Sequence, residues 1–280
     1  MIRTFLLTVS LFLCIYSFAQ KSLQINDMGY FEMQGLNVTV FSDFYPDGHQ
    51  TGVTIIQHGI RVAANGDLRL EASPGQWSPV PKGGPQIVDK EAGVISQKMW
   101  YPDSSKNRKG FNPINYPDFT FIYDVEVKAM EGSSFQVKVQ LEEPLPPEWI
   151  GKVGFNFELF PGDLFGKSWL MDDNSGIFHT QPNGPVGDDN GEILAEPLAK
   201  GKKLVVAPEH DLQRIKIQSN TGELELRDGR TNHNNGWYVV RELVPEGQTK
   251  DVIEWIITPN VVEGWTYNPV IQVSQLGYHP

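Results

Sequence analysis

Apolar and polar residues alternate with period two along most of this 280-residue chain, and no stretch beyond residue 20 carries the 3.6-residue period of a helix. The clearest run is Phe119-Thr120-Phe121-Ile122-Tyr123-Asp124-Val125-Glu126-Val127, which puts Phe119, Phe121, Tyr123, Val125 and Val127 on one face of a strand. Glu131-Gly132-Ser133-Ser134 turns the chain, and Phe135, Val137, Val139 and Leu141 resume the alternation, so these two strands are expected to pair as a hairpin. Further strands are expected at 36–41, 53–57, 94–101, 153–160, 204–207, 237–243 and 252–258. Two more hairpins are expected. Asn65-Gly66 divides 60–64 from 67–70, and Asn220-Thr221-Gly222 divides 215–217 from 224–226; Asn-Gly accepts the positive φ angles of a two-residue turn.

Many short strands separated by turn residues, among them 27 glycines and 20 prolines, predict an all-β fold of two packed antiparallel sheets. With no evident linker before about residue 260, residues 20–264 are expected to form one large β-sandwich, of the broad supersandwich kind. Val270-Ile271-Gln272-Val273-Ser274 then looks like a fresh strand with no partner after it. Residues 265–280 are accordingly expected to be a linker and the first strand of a second, truncated domain.

The N-terminus sets the compartment. Arg3 supplies a positive start, residues 5–18 are almost wholly apolar, and Ser17-Phe18-Ala19 offers small residues where a signal peptidase reads. Residues 1–19 are expected to be a cleaved signal peptide of a secreted or periplasmic bacterial protein; the run is shorter than the ~20 residues a spanning helix needs. The single cysteine, Cys14, lies inside it, so the mature chain has no thiol or disulfide, and Leu13 before it argues against a lipidation signal. The formal net charge is -11, and losing Arg3 makes the mature chain one unit more negative. Such a surface repels nucleic acid and anionic membrane and leaves neutral polymers as partners.

Candidate chemistry is sparse. A hydrolase site needs two carboxylates roughly 5–9.5 Å apart, but the side chains of Glu142-Glu143 and Asp172-Asp173 diverge on a strand, and Glu158 and Asp163 straddle an expected turn. Asp188-Asp189-Asn190-Gly191-Glu192 has the oxygen density of a calcium site without its spacing, and reads as a solvated hairpin tip. The six histidines, His49, His58, His179, His210, His233 and His279, show no zinc spacing. No catalytic, metal or cofactor site is expected. The loop of residues 107–113 is locally basic and reads as solvated.

Sugars stack their C–H faces on aromatic rings and hydrogen-bond to Asn, Asp and His. Two segments combine these elements, residues 165–172 and 233–237, and they nominate Trp169, Trp237, His233, Asn235 and Asp172 as carbohydrate-binding candidates. Trp255, between Ile253 and Ile257, is expected in the core.

The closing string Val273-Ser274-Gln275-Leu276-Gly277-Tyr278-His279-Pro280 resembles the opening strand of the immunoglobulin-like domain that precedes the catalytic barrel in glycoside hydrolase family nine. Residues 43–70, 149–169 and 233–244 resemble the long N-terminal extension of some bacterial members. The resemblance implies a cellulase-like parent acting on β-linked glucans or a related polysaccharide, with this chain ahead of the immunoglobulin-like and catalytic domains. The family's Asp-Ala-Gly-Asp segment is absent from this sequence, so no catalytic residue carries over. The expected role is a non-catalytic accessory region of a secreted glycosidase, with polysaccharide or oligosaccharide and the downstream domains as partners. The alternatives are an independent carbohydrate-binding module and a lyase- or epimerase-like enzyme.

Overall fold

The computed structural model describes residues 22–41, 52–70, 79–106, 116–189, 192–231 and 236–269. The proposed signal peptide, the basic loop at 107–113, His233, Asn235 and the closing string lie outside the described residues. The first strands are β1 (Gln24–Ile25), β2 (Phe31–Met33), β3 (Leu36–Val40), β4 (Val53–Gln57), β5 (Ile60–Leu70), β6 (Lys82–Asp89) and β7 (Val94–Tyr101). The middle of the chain gives β8 (Phe121–Ala129), β9 (Phe135–Leu141), β10 (Val153–Leu159), β11 (Ser168–Met171), β12 (Asn174–Ile177), β13 (Val186–Asp189) and β14 (Glu192–Ala195). The last are β15 (Pro197–Gly201), β16 (Lys203–Val206), β17 (Ile215–Ser219), β18 (Leu224–Asp228), β19 (Tyr238–Leu243) and β20 (Ile253–Pro259).

Two nine-stranded antiparallel sheets form a sandwich. The first has the order β1-β2-β3-β4-β5-β10-β19-β18-β15 and the second β12-β11-β16-β17-β20-β9-β8-β7-β6, while β13 and β14 pair by themselves. The alternation read from the sequence becomes the layer between the sheets. Phe121, Tyr123, Val125 and Val127 of β8 lie beside Phe135, Val137 and Val139 of β9, and both rows meet Val153, Phe155, Phe157 and Leu159 of β10 in one apolar core. Trp255 is fully buried there, edge-on to Phe155 with centroids 5.0 Å apart.

Two expected hairpins are corrected. Asn65-Gly66 is not a turn, because Ile60–Leu70 is one strand. Asn65 takes a positive φ of 57° inside it, and the pairing slips from Val53↔Gly66 to Ile55↔Ala63, which is a β-bulge. The turn lies earlier, at His58-Gly59, where Gln57 pairs with Ile60 and both central residues have positive φ, 50° and 79°. That is the type I′ geometry of tight hairpins, for which Gly59 is suited. Residues 220–223 do not close a hairpin either. They carry the chain from β17 in the second sheet to β18 in the first.

The crossing is held by Glu242. Its carboxylate accepts the Trp255 indole N–H at 2.6 Å, the Thr221 hydroxyl at 2.6 Å and the Gly222 backbone N–H. The expected hairpin around residues 188–192 is present as the β13–β14 pair, with Asp189 opposite Glu192. Strand β6 escaped the pattern reading because Gly83-Gly84-Pro85 has turn chemistry. As an edge strand it tolerates a proline that donates to no neighbour.

Candidate functional site

Antiparallel pairing brings the His58-Gly59 turn, the 160–167 and 207–214 loops, residues 229–231 and 236–237, and the segment after β20 to one end of the sandwich. Trp237 meets Phe160 edge-to-face at 4.6 Å, and the Arg61 guanidinium lies 4.7 Å over the other member of that pair, Phe160. Beside them Arg230 stacks 4.6 Å from Tyr238 and 5.1 Å from Phe165, the latter 36% exposed. A guanidinium over a ring face is favourable because the π cloud is its negative region.

Arg230 is also hydrogen-bonded all round. It donates to both Asp228 carboxylate oxygens at 2.8 Å, to the Thr180 carbonyl at 2.9 Å and to the His179 carbonyl at 2.8 Å. The Tyr238 hydroxyl donates to the same His179 carbonyl at 2.7 Å, and burial pushes its phenol up to about 12 against the opposing pull of Arg230. Arg230 is thus a fixed, charge-paired plate between aromatic rings, and polar carbonyl edges surround it.

The sequence-nominated residues divide. Trp237 is half-buried at this loop end. Trp169 on β11 is 7% exposed and packs into the core, its ring over Gly176 of β12. Asp172 follows β11 at the opposite end of the sandwich. Its side-chain oxygens accept the backbone N–H groups of Lys202 at 2.7 Å and Lys203 at 3.1 Å, so it braces the turn between β15 and β16. His233 and Asn235 lie outside the described residues. The structure therefore joins Trp237 to the 160–167 loop through Phe160, and separates it from Asp172.

His58 ties the outgoing chain to this end. Its Nδ1 lies 2.9 Å from the Leu212 carbonyl and its Nε2 accepts the Val262 N–H at 3.1 Å, which fixes the neutral tautomer with the proton on Nδ1. Trp265 meets the ring edge-on at 5.3 Å and Tyr267 packs on Gly59. His58→Asn keeps a residue that tolerates the left-handed backbone but removes the reach to both partners. At roughly 1 kcal/mol per hydrogen bond, amide exchange of Val262 and Trp265 is expected to accelerate several-fold while exchange in β8 stays unchanged. Unaltered exchange at Val262 would contradict the anchor.

A second polar cluster was missed in the sequence. On the outer face of the first sheet, one cross-strand row runs Lys200, Glu225, Arg241, Asn156, Asp67. Next to it the Arg69 Nε donates to Asp67 at 2.7 Å, and its Nη1 lies 3.4 Å from Glu158, which also accepts from Asn65 at 2.6 Å. Burial raises the Asp67 carboxyl while Arg69 pulls it down; at Glu225 burial is outweighed by Lys200 and Arg227, which hold the carboxyl below its ordinary value. The spacing of Asp67 and Arg69, two apart and so on one face of a strand, was the available signal. Because Arg69 neutralises both Asp67 and Glu158, the cluster is an ion-paired brace across β5 and β10.

Among the described residues no group of three His, Cys, Asp or Glu is arranged to hold a metal, and no helix is long and apolar enough to cross a membrane. No family model matches the chain, and no curated protein matches it.

Proposed function

We propose that this chain is the carbohydrate-associated accessory β-sandwich of a secreted glycoside hydrolase resembling family nine, exported by residues 1–19, and that it faces sugar at the loop end around Trp237. The observation that carries this reading is the convergence of two distant aromatic segments on that end. Trp237, Phe160 and Phe165 supply apolar ring surface, while the Arg61 guanidinium over Phe160 supplies a polar edge. Pyranose rings combine the same two characters, an apolar C–H face and a rim of hydroxyls. The net charge of -11 favours a neutral glycan over an anionic one. The segment 261–267, pinned by His58, runs past the same end, which supports a sugar-facing surface close to the path of the outgoing chain.

The test is retention of the purified chain on affinity gels containing cellulose, xylan and mixed-linkage glucan. The chain is expected to be retarded on at least one, to release no reducing sugar from it, and to lose about tenfold or more in affinity on Trp237→Ala. Retention on none of the three would contradict the carbohydrate reading. Sugar release by the pure chain would contradict the accessory role.

A further inference from the structure

We propose that Trp100 is a second sugar platform, taking one pyranose ring of a neutral glycan on the outer face of the second sheet. The proposal rests on the reading that this chain binds such glycans. Trp100 on β7 is 36% exposed, whereas Trp169 and Trp255 are buried in the core. Its six-membered ring lies over Gly84 of the edge strand β6, where an added Cβ would stand 2.9 Å from the indole. The missing side chain at Gly84 leaves room for the Cζ3–Cη2 edge of the indole, and the ring as a whole stays 36% exposed.

The surroundings are suited to hydroxyls. Lys98 projects from the same face two residues away and is ion-paired with Glu142, both side chains 43% exposed. The Glu142 backbone N–H donates to the Ile122 carbonyl, and Ile122 is the cross-strand partner of Trp100. Asp124 lies opposite Lys98. Lys82 of β6 faces Trp100 across the strand pair, so two cations, Lys82 and Lys98, and two carboxylates, Glu142 and Asp124, provide donors and acceptors around one aromatic ring with little net charge, which matches a polyol. A protein partner fits less well, since stable interfaces bury ~800 Å² per side and the apolar surface at this spot is one partly exposed Trp with half-buried Ile122.

Packing an aromatic ring over an edge glycine also stabilises a sheet by itself, and the experiment separates that role from binding. The full chain is titrated calorimetrically with cellohexaose, xylohexaose and laminarihexaose, alongside Trp100→Leu, Trp100→Phe and Trp237→Ala. Leucine keeps apolar cover on Gly84 and removes the π face. Trp100→Leu is expected to weaken binding about tenfold with its melting temperature unchanged, and Trp100→Phe to recover part of the loss. Binding by Trp100→Leu equal to wild type overturns the proposal, and if Trp237→Ala alone loses binding, the loop-end reading stands without it. Loss in Trp100→Leu with none in Trp237→Ala upholds Trp100 and removes the loop end. Absence of binding by the wild type to all three overturns both.

Discussion

Arg69→Ala is expected to lower stability by about 3–5 kcal/mol at neutral pH, the range for stranding a buried charge. Asp67 is fully buried and the Arg69 side chain only 13% exposed, and Glu158 beside them is 5% exposed. Water cannot replace the lost cation. The deficit should depend on pH with a definite sign. Burial already raises the Asp67 carboxyl above 3.8 with Arg69 opposing, so removing Arg69 raises it further. A carboxyl that holds its proton more tightly when folded is not penalised below its unfolded value, and it costs stability as pH rises from there through the folded value. The difference from wild type in urea unfolding should therefore be small near pH 3, in the region of about the unfolded Asp value, and grow toward pH 7. Adding Asp67→Asn to Arg69→Ala should return part of the loss at pH 7. A deficit independent of pH would contradict the ion-pair account.

Glu242→Ala is expected to have an effect of the same order by a different route. Its carboxylate is the acceptor for the Trp255 indole, the Gly222 amide and the Thr221 hydroxyl where the chain crosses between sheets. The hydroxyl can turn elsewhere, but the indole and the amide cannot. The buried indole left unpaired costs about 1–3 kcal/mol, and the half-buried Gly222 amide adds less because water can reach it. Glu242→Gln retains a carbonyl acceptor and should lose distinctly less. Near-ultraviolet circular dichroism of Trp255 and the urea midpoint report the two effects together. Equal stability of the alanine and glutamine variants would show that the acceptor is not what holds the crossing.

These two predictions fall where the sequence was least legible. The β8–β9 hairpin was readable because one face of each strand is buried and the other wet, so the pattern itself states the geometry. Turn dipeptides are ambiguous by nature. Positive φ at Asn65 serves a bulge within one strand as readily as a hairpin, and the local chemistry of Asn220-Thr221-Gly222 does not say whether the next strand pairs with the last one or joins the opposite sheet. That choice is made by distant residues, Glu242 and Trp255. Strand β6 was hidden because Gly83-Gly84-Pro85 is allowed at an edge.

Legibility at the site followed the same division. Trp237 could be nominated from its neighbours, but its ring partner Phe160 is far away in sequence, and the antiparallel pairing of β10 with β19 alone brings the two together. Trp169 and Asp172 share a segment with Phe165, yet strand direction sends Trp169 inward and carries Asp172 to the far end. Trp100 had no local companion in the sequence. Gly84 and Glu142 reach it only through sheet pairing and the loop after β9.

The proposed contact of this sandwich with glycan runs through particular tryptophans, and the indole N–H resonances of the isotopically labelled chain read each of them directly. Titrated with cellohexaose, xylohexaose and laminarihexaose, the Trp237 and Trp100 indole signals are expected to shift saturably with at least one sugar, while those of Trp255 and Trp169, both buried in the core, stay in place. No movement of any indole signal with any of the three, or movement confined to Trp255 and Trp169, would contradict it.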